Sequence, residues 1–173
     1  SHRLNLVIAA AMSCNIQVKN AFGILQELYE YFCGHKRHDI LLTHQQRVAN
    51  TNNPLQLKRV QSTRWTSLAS AVNTVKRIFR SILSSLDEIS SDPSMDVASV
   101  SGAIGLAKRL RDFKFIITIC FLHDVLQVWG PIIRHLQGMA VDLTIAVALL
   151  SSGMKKITDM RNNADQLWTT LLS

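Results

Sequence analysis

Proline and glycine are scarce in this chain, at 3 and 7 of 173 residues. No stretch shows a sustained alternation of apolar and polar residues, and no internal repeat is present. Aromatic residues are few at 6%, so any core must be built mainly from Leu, Ile, Val and Ala. The three cysteines, Cys14, Cys33 and Cys120, form neither a close pair nor a metal-binding spacing. That argues against a disulfide framework and for a reducing, intracellular setting. Cys14 and Cys120 lie inside apolar runs and are expected as buried thiols. No secretory signal is visible in these residues, an absence that weighs little. The first residue is Ser1 and not Met, so the chain is expected to be an excised piece of a longer protein. The most apolar stretch, Phe113 to Trp129, is broken by Lys114, His123 and Asp124 and is shorter than the roughly 20 residues a membrane span needs. It reads as a buried helix, with no membrane partner.

Catalytic signatures are missing too. There is no Gly-x-Ser-x-Gly elbow and no glycine-rich phosphate loop, and the 12 acidic residues are scattered and do not cluster. His123-Asp124 is a tempting pair, but neighbours on a helix point roughly 100° apart, so the pair reads as satisfied core polar groups. His35, His38 and Asp39 offer at most a weak metal set and read more simply as a solvated helix end. Nothing in the chain carries catalysis by itself, and no cofactor is expected in it.

What the chain does have is apolar content (47% hydrophobic) and positive charge, a formal +7 with a pI near 9.7. A chain this long can bury a real core as one domain. Its charge favours an anionic partner, with nucleic acid ahead of a membrane surface. Helical spacing recurs throughout. His2 to Cys14 is apolar almost all round and is expected to be an interior helix. In Val18 to Phe32, Phe22, Leu25, Leu28, Tyr29 and Phe32 share a face, with Gly34 expected as the C-terminal cap. A short helix is expected from Asp39 to about Val48, then a loop at Asn50 to Pro54. Trp65 to Ile89 carries a stripe of Leu68, Val72, Val75, Phe79, Ile82, Leu83, Leu86 and Ile89. A loop at Ser90 to Ser94 with Pro93 near a helix start precedes Val97 to Leu110. Phe113 to Leu136 should be kinked or divided at Gly130-Pro131, and Val141 to Leu172 loosened at Ser151-Ser152-Gly153. The fold class is all-α, a bundle of about six to seven mostly antiparallel helices, two of them long, spanning residues 1–173 as a single domain.

The stretch Leu57 to Ser67 concentrates the chemistry. Lys58, Arg59, Arg64 and Trp65 fall within eight residues, leading from a polar loop into a long helix. Cations neutralise phosphates, and an indole stacks on an unpaired base. Ser62 or Thr63 is placed to cap the helix, holding Arg64 and Trp65 at its positive end. From these residues alone Trp65 reads first as a plain anchor in a hydrophobic core, since a large aromatic usually supplies buried area. The cationic groups Lys36-Arg37, Lys76-Arg77-Arg80, Lys108-Arg109-Arg111 and Lys155-Lys156 each read as a solvated face. A long groove would form if the Lys58 to Arg64 segment met the Lys76 to Arg80 face.

Several blocks resemble the hAT superfamily of transposases. His2-Arg3-Leu4-Asn5-Leu6 is similar to the H-x-L-N-L part of its C-x-x-H-x-L-N-L signature, whose Cys would precede Ser1. Leu25 to Arg37 resembles the L-Y-x-F-F-x-x-S-x-x-R stretch of zinc finger MYM-type and related transposase-derived proteins, with Gly34 or His35 in place of the small polar residue. Leu57-Lys58 through Thr63-Arg64-Trp65-Thr66-Ser67 is similar to the L-K-x-L-x-x-T-R-W-x-S block, and Phe113 to Leu149 resembles the closing helical section. In that family a helical insertion interrupts an RNase H-like core with three catalytic acids. The resemblance implies that this chain is the insertion, without those acids, within a nuclear protein whose core would use a divalent metal such as Mg. It further implies that Arg64 and Trp65 handle the DNA end near a distorted or flipped base, and that His2 matches the family's histidine near the active site. The implied partners are DNA, the rest of the transposase core and a second copy of the chain. A domesticated descendant that has lost DNA cleavage and serves as a protein–protein or dimerisation module fits the same blocks.

Overall fold

The fold was obtained as a computed structural model, which describes residues 10, 14–49, 53–60, 65–136 and 142–172; of Ala49, Trp65 and 164–172 it describes the backbone alone. Six helices are present among the described residues, and no strand: α1 (Ile16–Tyr31), α2 (His35–Ala49), α3 (Trp65–Ser91), α4 (Val97–Leu110), α5 (Phe113–Leu136) and α6 (Leu143–Leu172). The segment before Cys14, expected as an interior helix, lies outside the described residues apart from Ala10.

Short side chains start the helices. Asn15 Oδ1 accepts the Gln17 and Val18 amides at 2.8 and 3.3 Å and caps α1. Asp96 accepts the Ser99 amide at 2.8 Å at the head of α4, and Asp112 accepts the Lys114 amide at 2.8 Å ahead of α5. Asp142 accepts the Thr144 amide at 2.7 Å ahead of α6. Each satisfies a first-turn N–H that has no partner within its helix, and the three aspartates also place a negative charge at the positive end of the helix dipole.

Helix α3 is the axis of the molecule. It packs against α1, α2, α4 and α5, while α6 packs chiefly on α5. Leu68, Val72, Val75, Ile82, Leu86 and Ile89 are buried on it as the periodicity predicts, whereas Phe79 and Leu83 are only half-buried. The buried surface also takes in Thr74, Ile78, Ser81 and Ser85, beyond the expected stripe. Ser85 is fully buried because its hydroxyl donates to the Ser81 carbonyl of its own helix at 2.7 Å, so no distant partner is needed. The helix kinks at Ile78, where φ is −106° and ψ is 19°.

Several expectations are corrected. The C-cap of α1 is Phe32 and not Gly34, and α2 begins at His35, four residues early. Pro93 lies in a turn, with Asp96 as the true cap of α4. Pro131 does not divide α5. It sits on the exposed side, where the Gln127 carbonyl left without an amide partner can meet water. Gly153 does not loosen α6. It is buried where a Cβ would stand 2.7 Å from Ile132 Cδ1 and 3.4 Å from the Trp129 ring, so the missing side chain lets α6 close on α5. Cys14 and Cys120 are exposed thiols. Cys120 falls on the outward face of α5 with Phe113, Ile117 and Phe121, also exposed. This helix is apolar on more sides than its neighbours cover, so its run of apolar residues did not reveal which side is inside. By length and mean hydropathy α5 is apolar enough to cross a membrane, with a third of its most apolar window buried against the bundle.

Polar contacts tie α4 to its neighbours. Tyr31 on α1 donates its hydroxyl to the Ser99 carbonyl at 2.7 Å, and Arg37 reaches the Tyr31 carbonyl and Ser99 Oγ while covering the Tyr31 ring at 4.6 Å. Arg111 pairs with Asp87 on α3 at 2.6 Å. Arg109 grips both carboxylate oxygens of Glu27 on α1. The hydrogen bond from Arg109 holds the Glu27 carboxyl below its ordinary value of 4.5, against the opposing pull of partial burial. A folded-state value lowered in this way stabilises the fold above the ordinary value, and the benefit is lost as pH falls through the lowered one. The thermal midpoint of Glu27→Gln should therefore lie slightly below that of the parent at pH 7, and the gap should close below pH 4.5. A gap that widened in acid would show that the pair is not what the pH acts on.

Candidate nucleic-acid interface

The cationic stretch meets the bundle as an extended strap, residues 54–60, with no helix of its own. Two glutamines hold it. Gln45 on α2, only 1% exposed, donates to the Leu55 carbonyl at 3.0 Å and accepts the Leu55 amide at 2.8 Å, acting as a strand partner made of one side chain. Gln26 on α1 accepts the Val60 amide at 3.0 Å and donates to Glu30 at 2.6 Å. Leu55, Leu57 and Val60 turn inward against the core, and Gln56, Lys58 and Arg59 turn outward and are exposed. At the far end the Ser67 hydroxyl donates to the Arg59 carbonyl at 2.7 Å. This ties the strap to the first turn of α3, the helix that begins at Trp65.

Of the residues expected to form the site, Lys58 and Arg59 are therefore brought together on a fixed, outward-facing backbone beside the start of α3. Arg64 and His2 lie outside the described residues, as do Ser62 and Thr63. Trp65 is described by its backbone alone. The anticipated meeting with the Lys76 to Arg80 face takes a different form. Lys76 turns across to α5, where its ammonium lies 3.0 Å from His123 Nδ1 and 3.7 Å from Asp124, while Arg77 and Arg80 are exposed. His123 and Asp124 do meet, at 2.9 Å, so with Lys76 they form a polar trio on the α3–α5 seam and are not core polar groups. What lies beside the first turns of α3 is Arg134 of α5, exposed on the wall of a cavity of about 260 Å³ that Thr66, Ser70, Asn73 and Gln127 also line.

Sequence reasoning missed Gln45, Gln26 and Arg134. A signal for Gln45 exists, since it follows the buried Leu41 at i+4 and so shares the inward face of α2. His35 and Asp39 pair at 2.9 Å in full solvent, and among the described residues no three His, Cys, Asp or Glu side chains come together in a way that could hold a metal ion.

No family model matches the chain, and no solved structure matches it. Among curated proteins it is similar to the human "52 kDa repressor of the inhibitor of the protein kinase", 24% identical over 169 residues that cover 94% of this chain and 22% of that protein. It is similar to the mouse protein of the same name at 24% identity over 158 residues, 87% of this chain and 21% of that protein. The chain thus spans about one fifth of the length of the curated relatives it matches.

Proposed function

We propose that this chain is the helical insertion of a hAT-type, transposase-derived nuclear protein, and that it contacts DNA without cleaving it. The observation that carries the reading is the strap. Two cations sit on an extended segment that three side chains hold in place, so little ordering remains to be done when a phosphate backbone arrives. The segment then leads into the helix that opens with Trp65. The blocks of hAT resemblance and the similarity to the repressors, which runs along nearly the whole chain, support the same placement. Lys58 and Arg59 neutralise phosphates, Arg64 does so at the helix start, and Trp65 stacks on an extruded base, returning the few kcal/mol that unstacking costs. His2 is assigned a place near the active site of the flanking core. The catalytic acids, and any divalent metal such as Mg, belong to that core. A role in repression, taken from the relatives' name, fits a domesticated parent.

The test is titration of a hairpin or mismatched duplex and of its fully paired counterpart across a salt series. Lys58→Ala combined with Arg59→Ala should flatten the dependence of log affinity on log salt by about 2 for the duplex. Trp65→Ala should erase most of the preference for the unpaired base, a change of about 1–3 kcal/mol. Salt-insensitive binding, or variants that behave as the parent, would remove the reading.

A second reading has its own observation. Leu143, Ile145, Val147 and Met154 are exposed along α6, an apolar display suited to a protein partner or a second copy. Sedimentation that shows a dimer dissociated by Ile145→Glu, together with no DNA binding, would favour it.

A further inference from the structure

A cleft of about 720 Å³ opens between α1, the end of α4 and the start of α5. Its floor is apolar, formed by Ala21, Ile24 and Phe115. Lys19, Lys108 and Lys114 stand on its rim, one from each helix, all exposed. Among the described residues none of the three ammonium groups has a hydrogen bond or ion pair. The cleft's two acids are already committed. Glu27 is taken by both arms of Arg109, and Asp112 accepts the Lys114 and Phe115 amides at 2.8 and 3.3 Å. With Arg109 cancelled by Glu27, the three ammonium groups outnumber the one remaining carboxylate, Asp112, and the cavity keeps a net positive charge that an anion relieves.

Helix α1 connects this cleft to the strap. Gln26 holds Val60, next to Arg59, while its neighbour Glu27 lines the cleft. Lys19 precedes Gln26 by seven residues, two turns along nearly the same line of the helix and about 10 Å away. We propose that the cleft is a second phosphate-binding surface, which carries a nucleic-acid backbone from Lys58 and Arg59 across α1 to Lys19, Lys108 and Lys114. The proposal rests on the nucleic-acid reading and adds to it a footprint and a direction. The apolar floor gives an unpaired base somewhere to lie, so a single strand is the preferred occupant.

The experiment compares three sets of substitutions in this chain, titrated with a single-stranded oligonucleotide and a duplex over a salt series. They are Lys19→Ala/Lys108→Ala/Lys114→Ala in the cleft, Lys58→Ala/Arg59→Ala on the strap, and Lys155→Ala/Lys156→Ala/Arg161→Ala on α6. The third set removes as many exposed charges as the first. All are surface changes, and helical content by circular dichroism verifies the fold. The cleft set should lower the salt slope by about 2 for single strand and weaken binding roughly tenfold or more near 0.1 M salt, well beyond the α6 set. Equal losses from the cleft and α6 sets would reduce the effect to net charge and overturn the proposal. Loss from the strap set with none from the cleft set would overturn it while sparing the strap. Loss from the cleft set alone would overturn the strap assignment and with it the continuous path from Lys58 and Arg59, and losses from both the cleft and strap sets beyond the α6 set would support the path. An unsubstituted chain that binds neither oligonucleotide would overturn both.

Discussion

Gln45→Ala should free the strap while leaving the helices standing. The amide of Gln45 supplies both hydrogen bonds that Leu55 makes with α2, at 2.8 and 3.0 Å, from a site that is 1% exposed. Alanine removes both bonds, each worth about 0.5–1.5 kcal/mol net, and leaves a hole under Leu55 in place of the amide. A total loss of about 2–4 kcal/mol is expected, and most of it would appear locally, because residues 54–60 can lift into water without unfolding α2. Lys58 and Arg59 turn this into a measurement, since both are trypsin sites that need an extended, detached backbone. Cleavage after these two residues should accelerate by at least about tenfold under native conditions, with helical circular dichroism nearly unchanged. Gln45→Glu should free the strap at least as much as alanine at pH 7, because it buries a charge and sets a second oxygen against the Leu55 carbonyl. A carboxylate still accepts from the Leu55 amide but has no proton to donate to its carbonyl at pH 7. Unaltered proteolysis in the alanine variant would mean that Leu57 and Val60 alone secure the strap.

The strap shows where the sequence stopped being informative. Asn53 and Pro54, the described end of the expected loop, were readable as non-helical because both resist helix, and Lys58 and Arg59 were readable as cations near a helix start. That the intervening chain lies extended across two helices depends on Gln45 and Gln26, which are 10 and 34 residues from the groups they bind. Local periodicity carries no record of such pairs, and a glutamine in a helix looks solvated unless its neighbours at i±4 are considered. Lys76 shows the same limit. As a charge on a helix it read as a free face, and only the packing of α3 on α5 puts His123 and Asp124 opposite it.

Helix bounds were more legible where caps and breakers are local. Val97–Leu110 at both ends and the next helix at its start, Phe113, fall where expected, because the aspartates before them and the short turn between them leave little choice. Which side of a helix is buried was legible in proportion to its amphipathicity. On α3 the polar side is distinct and the main stripe was readable. On α5 apolar residues stand on every side, so Cys120, Ile117 and Phe121 gave no sign that they face outward.

The same reasoning makes α3 the place where a small change should cost most. Ile82 is fully buried, on a helix that four others pack against. Ile82→Ala removes three carbon atoms, and neighbours held on several sides cannot close the space, so the lost transfer energy and the cavity add to about 2–5 kcal/mol. For a chain of this size that corresponds to a thermal midpoint lower by roughly 5–15 °C. One turn away, Ser85 is as deeply buried, yet Ser85→Ala should stay within about 0.5 kcal/mol of the parent. Its hydroxyl bonds only the Ser81 carbonyl, which keeps its main-chain partner, and alanine has almost the same volume and a better helix propensity. The contrast is read by denaturant unfolding of both variants with the slope compared to the parent. Equal losses at the two positions would mean that the Ser85 hydroxyl has a structural role beyond its own helix. A near-neutral Ile82→Ala would show that the helices around α3 can collapse onto it, and that the bundle is not organised around this axis.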